Sequence, residues 1–328
     1  MSSPPPAQVR PVRLLAAGGT ISMQGERAVP ALDAAALVQA VPDLARFPQL
    51  SAENVLGLPG PQVSLSQALE LARRAADAAA AGAGVVITTG TDTMEELAVL
   101  CALQHAGEAP IVLTGANRTA SAPGADGPAN LLDAITVAAA PAAEGLGAVV
   151  VFGGEIHAAT SVRKVDSTGP AAFGSPVAGP VGRVFEGRVW LHARPLRPTA
   201  ITTTALEHRV PILVAALGED GALMRSAARA ADGLVVVAFG AGHVTPGMLH
   251  ALRDAAQRIP VVLTCRPERG SMLHATYGFE GSERDLRATE AICAPFLSPV
   301  AARVVLLCCL GAGRDREATA AAFAPWDA

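Results

Sequence analysis

A chain of 328 residues is longer than most single domains, so two domains of unequal size, or one large α/β unit with an extension, are expected. The formal net charge of −4 and the scattered arginines give no basic stripe to follow a phosphate backbone, which sets nucleic acid aside as a partner. Five cysteines, an odd number without a CxxC pair, set aside a disulfide framework or zinc site and read as buried thiols; the apolar runs fall short of the roughly 20 residues that span a membrane.

The chain opens on "MSSPPPAQVRPVRLLAAGG", a short Pro-rich tail running into a strand, without the charged start and long apolar core of a secretory signal, so the expected location is the cytoplasm. Short β-branched runs then alternate with Ala- and Leu-rich stretches: "DAAALVQAV", "SLSQALELARRAADAAAA", "GVVITT", "MEELAVLCALQHA", "PIVLTGA", "ANLLDAITVAAA" and "LGAVVVFGG". Such alternation predicts βαβ units with helices on both faces of a mostly parallel, doubly wound sheet. Residues from about 193 to 210, with two prolines and a threonine run, read as a linker. Beyond it the rhythm resumes in "ILVAAL", "GALMRSAARAA", "GLVVVAFGAG", "TPGMLHALRDAAQR" and "PVVLTC". The expected fold is thus α/β, with a larger N-terminal domain over residues 1–198 and a smaller C-terminal α/β domain over 199–328.

In an open parallel sheet, ligands bind beyond the carboxyl ends of the strands, so the residues just past each strand carry the functional information. The first strand ends in Gly18-Gly19-Thr20-Ile21-Ser22, where two glycines let the backbone approach a ligand and a hydroxyl comes just after them. This turn fails the GxGxxG spacing, which ranks a nucleotide-binding dehydrogenase last. "GVVITT" ends in Gly90-Thr91-Asp92-Thr93-Met94-Glu95-Glu96, and helix capping explains Thr91 or Asp92 but not both hydroxyls and the carboxylate together. "TGANRTASAPGADGPANLLDA" is a polar loop whose Asp126-Gly127-Pro128 leads into a helix. Lys164, in "SVRKVDSTGP", is the single lysine among 25 Lys plus Arg. A coding bias toward arginine accounts for most of that deficit, yet a solvated cation could have become arginine like the rest. A role that needs a compact amine or proton release could not.

Together "AAGGTIS", "TTGTDTMEE", "VLTGANR", "ADGPANLLDA" and "VRKVDSTGPAAFGSP" resemble, in order and spacing, the bacterial-type L-asparaginase/glutaminase family of threonine amidohydrolases. The resemblance continues through "VVVAFGAGHV" to "TYGFEG" and covers nearly the whole chain. It implies hydrolysis of L-asparagine to L-aspartate and ammonia through a threonyl acyl-enzyme, without metal or organic cofactor. By motif, Thr20 is the nucleophile, Thr91, Asp92 and Lys164 form the second catalytic group, and Gly19, Gly60, Gly90 and Ala116 line the substrate. The partner is a small amide, with no membrane or nucleic acid involved. The expected assembly is a homodimer or homotetramer, each site completed by a neighbour's second domain near His243 and His274, for which no acidic partner is evident in the sequence.

Three features depart from the family's pattern or leave a role open. The loop after the first threonine normally carries a tyrosine that helps to activate it; "SMQGERAVPALD" has none, Arg27 near that position cannot relay a proton, and the chain's only tyrosine is Tyr277. Gly60-Pro61 stands where members often hold the substrate's α-carboxylate with a serine and a polar neighbour. A lysine is a cation at neutral pH unless burial outweighs any neighbouring carboxylate, which leaves Lys164 either a base or an orienting cation. Glutamine, D-asparagine or another small amide therefore stand as alternative substrates. A catalytically silent amino-acid-binding protein is the alternative from another class.

Overall fold

The computed structural model describes residues 10–25 and 29–327. It divides between Ala200 and Ile201 into two compact units, and no helix or strand occurs from 193 to 211.

The first unit carries strands β1 (Val12–Gly18), β2 (Met23–Gln24), β3 (Val29–Pro30), β4 (Leu50–Leu58), β5 (Gly84–Thr88), β6 (Ile111–Thr114), β7 (Ala148–Phe152), β8 (Glu155–Ala158), β9 (Arg163–Lys164), β10 (Phe173–Gly174), β11 (Gly182–Phe185) and β12 (Arg188–Leu191). Its helices are α1 (Ala34–Gln39), α2 (Leu65–Ala80), α3 (Met94–Gln104) and α4 (Gly127–Ala139). One large sheet has the order β12-β11-β8-β7-β6-β5-β1-β4, while β2–β3 and β9–β10 are separate two-stranded ribbons. From β4 to β7 the strands run parallel; β8, β11 and β12 extend the sheet antiparallel. The expected mostly parallel N-terminal sheet is therefore present.

Chemistry explains these elements. Every residue of β5 and β7 is buried, as suits continuous apolar strands covered on both faces. Against β5, α4 packs so closely that a Cβ on Gly84 would sit 2.0 Å from the Ala138 carbonyl oxygen. At the start of α2 the Ser64 side chain accepts from the Gln67 N–H while Gln67 accepts from the Ser64 N–H, a reciprocal capping box. Leu14, Val86, Val112, Leu131, Ile135, Val149 and Val151 centre one apolar core.

Topology then places the opening. From β1 the chain crosses to β4 on one side, and from β4 it returns past β1 to β5 on the other. The carboxyl ends of β1, β4 and β5 flank this switch point, where a crevice opens in sheets of this kind.

The second unit has a four-stranded parallel sheet of β13 (Ile212–Val214), β14 (Leu234–Ala238), β15 (Val261–Cys265) and β16 (Ile292–Cys293), in that order. With it come α5 (Ala222–Ala228), α6 (Pro246–Ala256), α7 (Glu283–Arg287), α8 (Pro299–Gly311) and α9 (Arg316–Phe323). Its own core centres on Leu234, Val236, Leu249, Leu252, Leu263 and Leu286. Among the described residues no helix is long and apolar enough to cross a membrane.

Candidate active site

Three glycines close the switch point. Gly19 has φ 83°, in the region that favours glycine, and its N–H donates to the Leu58 carbonyl at 3.2 Å, joining the ends of β1 and β4. A Cβ on Gly19 would lie 2.3 Å from the Gly90 nitrogen, one on Gly90 2.7 Å from the Gly60 nitrogen, and one on Gly60 2.9 Å from Thr93 Oγ1. Gly19, Gly60 and Gly90 thus pack through their main chains, with no side chain between them. Thr20 is half-buried at the head of a single 3-10 turn, Thr20–Ser22, braced by Ser22 Oγ donating to the Gly19 carbonyl at 2.8 Å.

Thr91 and Asp92 lie just past β5. Helix α3 begins at Met94 with Thr93 in the cap position, and the Thr93 side chain makes no capping hydrogen bond. Neither Thr91 nor Asp92, to which sequence chemistry offers the cap, therefore stands in the cap position. Both face Lys164 instead: its Nζ donates to Thr91 Oγ1 at 2.9 Å and to Asp92 Oδ1 at 2.7 Å. Thr91 is buried, the Lys164 side chain is 16% exposed and that of Asp92 62%, so the amine bridges a dry hydroxyl and a wet carboxylate. Short charge-assisted contacts of this type fix geometry as well as charge.

Lys164 rides on the β9–β10 ribbon, and several polar side chains anchor its surroundings. Asp166 Oδ1 accepts the N–H groups of Thr168 and Gly169, both at 2.8 Å, and those bonds hold its carboxyl below the usual range. Asn117 Nδ2 donates to the Gly169 carbonyl at 2.6 Å, while the Asp126 carboxylate accepts the N–H groups of Asn117 and Arg118 at 3.0 and 2.9 Å. Asn130 donates to the Gly115 carbonyl and accepts from the Gly153 N–H, each at 3.0 Å. The loops after β6, β7 and β9 are tied together in this way. Glu95 stands in the first turn of α3, its Oε1 at 3.5 Å from the Lys164 backbone nitrogen. Burial pushes its carboxyl up to about 7, against the lowering influence of that N–H; the Glu96 charge adds to the rise, and the Arg163 and Lys164 charges oppose it.

Sequence reasoning does not single out these supporting groups, although "DSTG" carries an Asp two residues before an N–H it can accept, the pattern of an Asx turn. Ala116 is fully buried in the apolar core, where its side chain faces α4 near Gly127. Arg27, which the sequence puts near the tyrosine position, lies outside the described residues.

In the second unit, the expectation that His243 lacks an acidic partner is corrected. Its Nε2 lies 3.4 Å from Oε2 of the fully buried Glu283, and neither atom has a hydrogen-bond partner. Glu283 Oε1 accepts the N–H groups of Thr276 and Tyr277, both at 2.7 Å. Burial alone would raise the Glu283 carboxyl; N–H donation from Tyr277, Glu283 itself and Thr276, with His243 beside it, brings the balance below the ordinary value. The rings of Tyr277 and Phe279 meet His243 edge-on at 5.0 and 5.1 Å. His274 is exposed. No group of three or more His, Cys, Asp or Glu placed to hold a metal occurs among the described residues.

Residues 11–197 match the family model described as "Asparaginase, N-terminal", and residues 209–323 match "Glutaminase/Asparaginase C-terminal domain". The chain is 38% identical over 320 residues to a protein named "Probable L-asparaginase" from Deinococcus radiodurans, covering 95% of this chain and 96% of that one. It is 29% identical to "Probable L-asparaginase periplasmic" from Haemophilus influenzae, over 93% and 89% of the two chains. Among solved structures, a probable cytoplasmic L-asparaginase from Campylobacter jejuni aligns with a TM-score of 0.84 and 28% identity, over 95% of this chain and 98% of that chain.

Proposed function

We propose, from the premise that this chain belongs to the asparaginase family, that it hydrolyses L-asparagine to L-aspartate and ammonia through an ester on Thr20. The observation that carries this reading is the amine of Lys164 held on Thr91 and Asp92 beside a cluster of glycines at the sheet's switch point. The Thr20 oxygen attacks the side-chain carboxamide, the tetrahedral oxyanion is met by main-chain N–H groups of the glycine cluster, and the C–N bond breaks as ammonia departs with the hydroxyl proton. Water then adds to the ester, activated at Thr91, and returns aspartate and the free Thr20 hydroxyl.

Lys164 serves as an orienting cation in this scheme. Its Nζ donates to both partners, to Thr91 Oγ1 at 2.9 Å and to Asp92 Oδ1 at 2.7 Å. Gly60 and Gly90 contribute N–H groups, Gly19, whose own N–H is held by the Leu58 carbonyl, brings the main chain close behind Thr20, and Ala116, whose methyl is buried, contributes main chain only. The "Glutaminase/Asparaginase" description of the C-terminal match favours glutamine as a second substrate. The assembly is a homodimer or homotetramer in the cytoplasm, in which the segments near His243 and His274 complete a neighbouring copy's site.

Mass spectrometry of protein quenched during turnover tests the mechanism, with ammonia release followed over asparagine, glutamine, D-asparagine and simple ω-amides. The expected result is release from asparagine first and an acyl adduct on the peptide containing Thr20. Ammonia release that survives Thr20→Ala overturns the assignment. Tight amino-acid binding without release from any amide would make the chain a silent binder.

A further inference from the structure

The β9–β10 ribbon that carries Lys164 is two residues long on each strand, and the outer edge of β9 pairs with no other strand. Lys164 stands opposite Phe173, and the Val165 N–H donates to the Ala172 carbonyl at 2.7 Å. That pattern makes Lys164 and Phe173 a non-hydrogen-bonded antiparallel pair, whose N–H groups point away from the partner strand. The N–H of Lys164 therefore leaves the ribbon on its open side, and a partly buried N–H needs an acceptor there. Its acceptor is Glu95 Oε1, delivered by the first turn of α3 one residue after Met94.

One helical start thus grips both ends of the same lysine: Asp92, just before α3, takes the amine, and Glu95, within it, takes the main chain. We propose that Glu95 is the positioning residue of this site, its carboxylate holding the Lys164 backbone so that the amine stays on Thr91 and Asp92, and that protonation of Glu95 slackens the hold. This rests on the hydrolase reading only for its effect on turnover. At 3.5 Å the bond is at the long limit, so its strength depends on the acceptor's charge: an ionised carboxylate binds an N–H about twice as strongly as a neutral group does. The charged groups around Glu95 are Glu96 on its own helix and Arg163 and Lys164 on β9. Burial raises Glu95 to about 7, so the hold is loose in mild acid and firm above neutrality.

Lys164 is the only lysine, so protein made with lysine enriched in carbon-13 at Cε reports from one place. Followed from about pH 5.5 to about pH 8.5, that resonance is expected to shift with a midpoint near 7 in the natural protein and to lose that midpoint in Glu95→Gln, which keeps an acceptor oxygen without its charge. In turnover, the acid limb of kcat with the same midpoint disappears in Glu95→Gln while KM changes less than about twofold. Glu95→Ala lowers kcat about tenfold or more throughout the range, since misplacing a catalytic group by about 1 Å costs up to a hundredfold. A resonance with no midpoint near 7 in the natural protein, or one that persists in Glu95→Gln, overturns the proposal. If the resonance behaves as expected and no amide is hydrolysed, the hydrolase reading falls and the placement of Lys164 by Glu95 stands.

Discussion

Nζ of Lys164 reaches Thr91 Oγ1 and Asp92 Oδ1 from one point, and a guanidinium cannot do this: its donors lie in a planar fork, set further from the backbone. Lys164→Arg is therefore expected to keep the fold, judged by circular dichroism, and to lose nearly all ammonia release; retention of more than about a tenth of the rate would show that charge alone suffices. Gly19 is constrained twice, by φ 83° and by the 2.3 Å that a Cβ would leave to the Gly90 nitrogen. Gly19→Ala should lower stability by about 1–3 kcal/mol in urea titrations and abolish turnover, because the added methyl meets the backbone and not a side chain that can move. An unchanged midpoint would contradict the packing described. Lys164 is legible in the sequence because arginine is the rule in this chain. Glu283 is not, since its tie to His243 depends on a tertiary approach that local pattern does not encode.

At the scale of elements, the same division holds. Continuous apolar strands such as β5 and β7 announce themselves, whereas β4, "LSAENVLGL", has exposed and half-buried positions and a charge, Glu53, within it, and the β9–β10 ribbon is too short for any periodicity. What secures that ribbon is tertiary: Ser175, just after β10, lies with Oγ 3.1 Å from Nδ1 of the fully buried His157 on β8. Desolvation lowers the His157 pKa, with Glu155 opposing and Arg183 adding to the effect. Below the ordinary histidine value of about 6.5 the unfolded chain binds this proton and the folded one resists it, so the ring's contribution to stability is complete above that pH and declines below it. His105 has the same sign. Glu95 and Asp133, raised by burial to about 7 and about 6, act oppositely and lose their contribution as pH rises, so the ring has to be isolated by difference. The stability gap between the natural protein and His157→Gln, from urea unfolding, should shrink as pH falls from about 7.5 to about 5.5. A constant gap would mean that the ring's protonation plays no part in anchoring the ribbon.

Over the whole molecule, each unit closes its own apolar core, and the cysteines are distributed between them: Cys101 in the first, Cys265, Cys293, Cys308 and Cys309 in the second. All five cysteines are buried, and none is in a disulfide. Burial pushes Cys101 and Cys308 up to about 12 and Cys265, Cys293 and Cys309 up to about 11. Since the thiolate is the reactive form, a thiol both inaccessible and held protonated is inert, and modification has to pass through opening of the unit that contains it. Native protein treated with an aromatic disulfide reagent at about pH 8 should therefore release well under one equivalent of chromophore per chain, against five after denaturation. At intermediate urea, peptide mapping of alkylated protein should assign exposure of Cys101 to unfolding of the first unit and of Cys308 to that of the second, with rates that track the loss of helical signal. Fast labelling of any cysteine without urea would show that the corresponding core opens under native conditions, and Cys101 would be the informative one, because α3 carries it as well as Glu95.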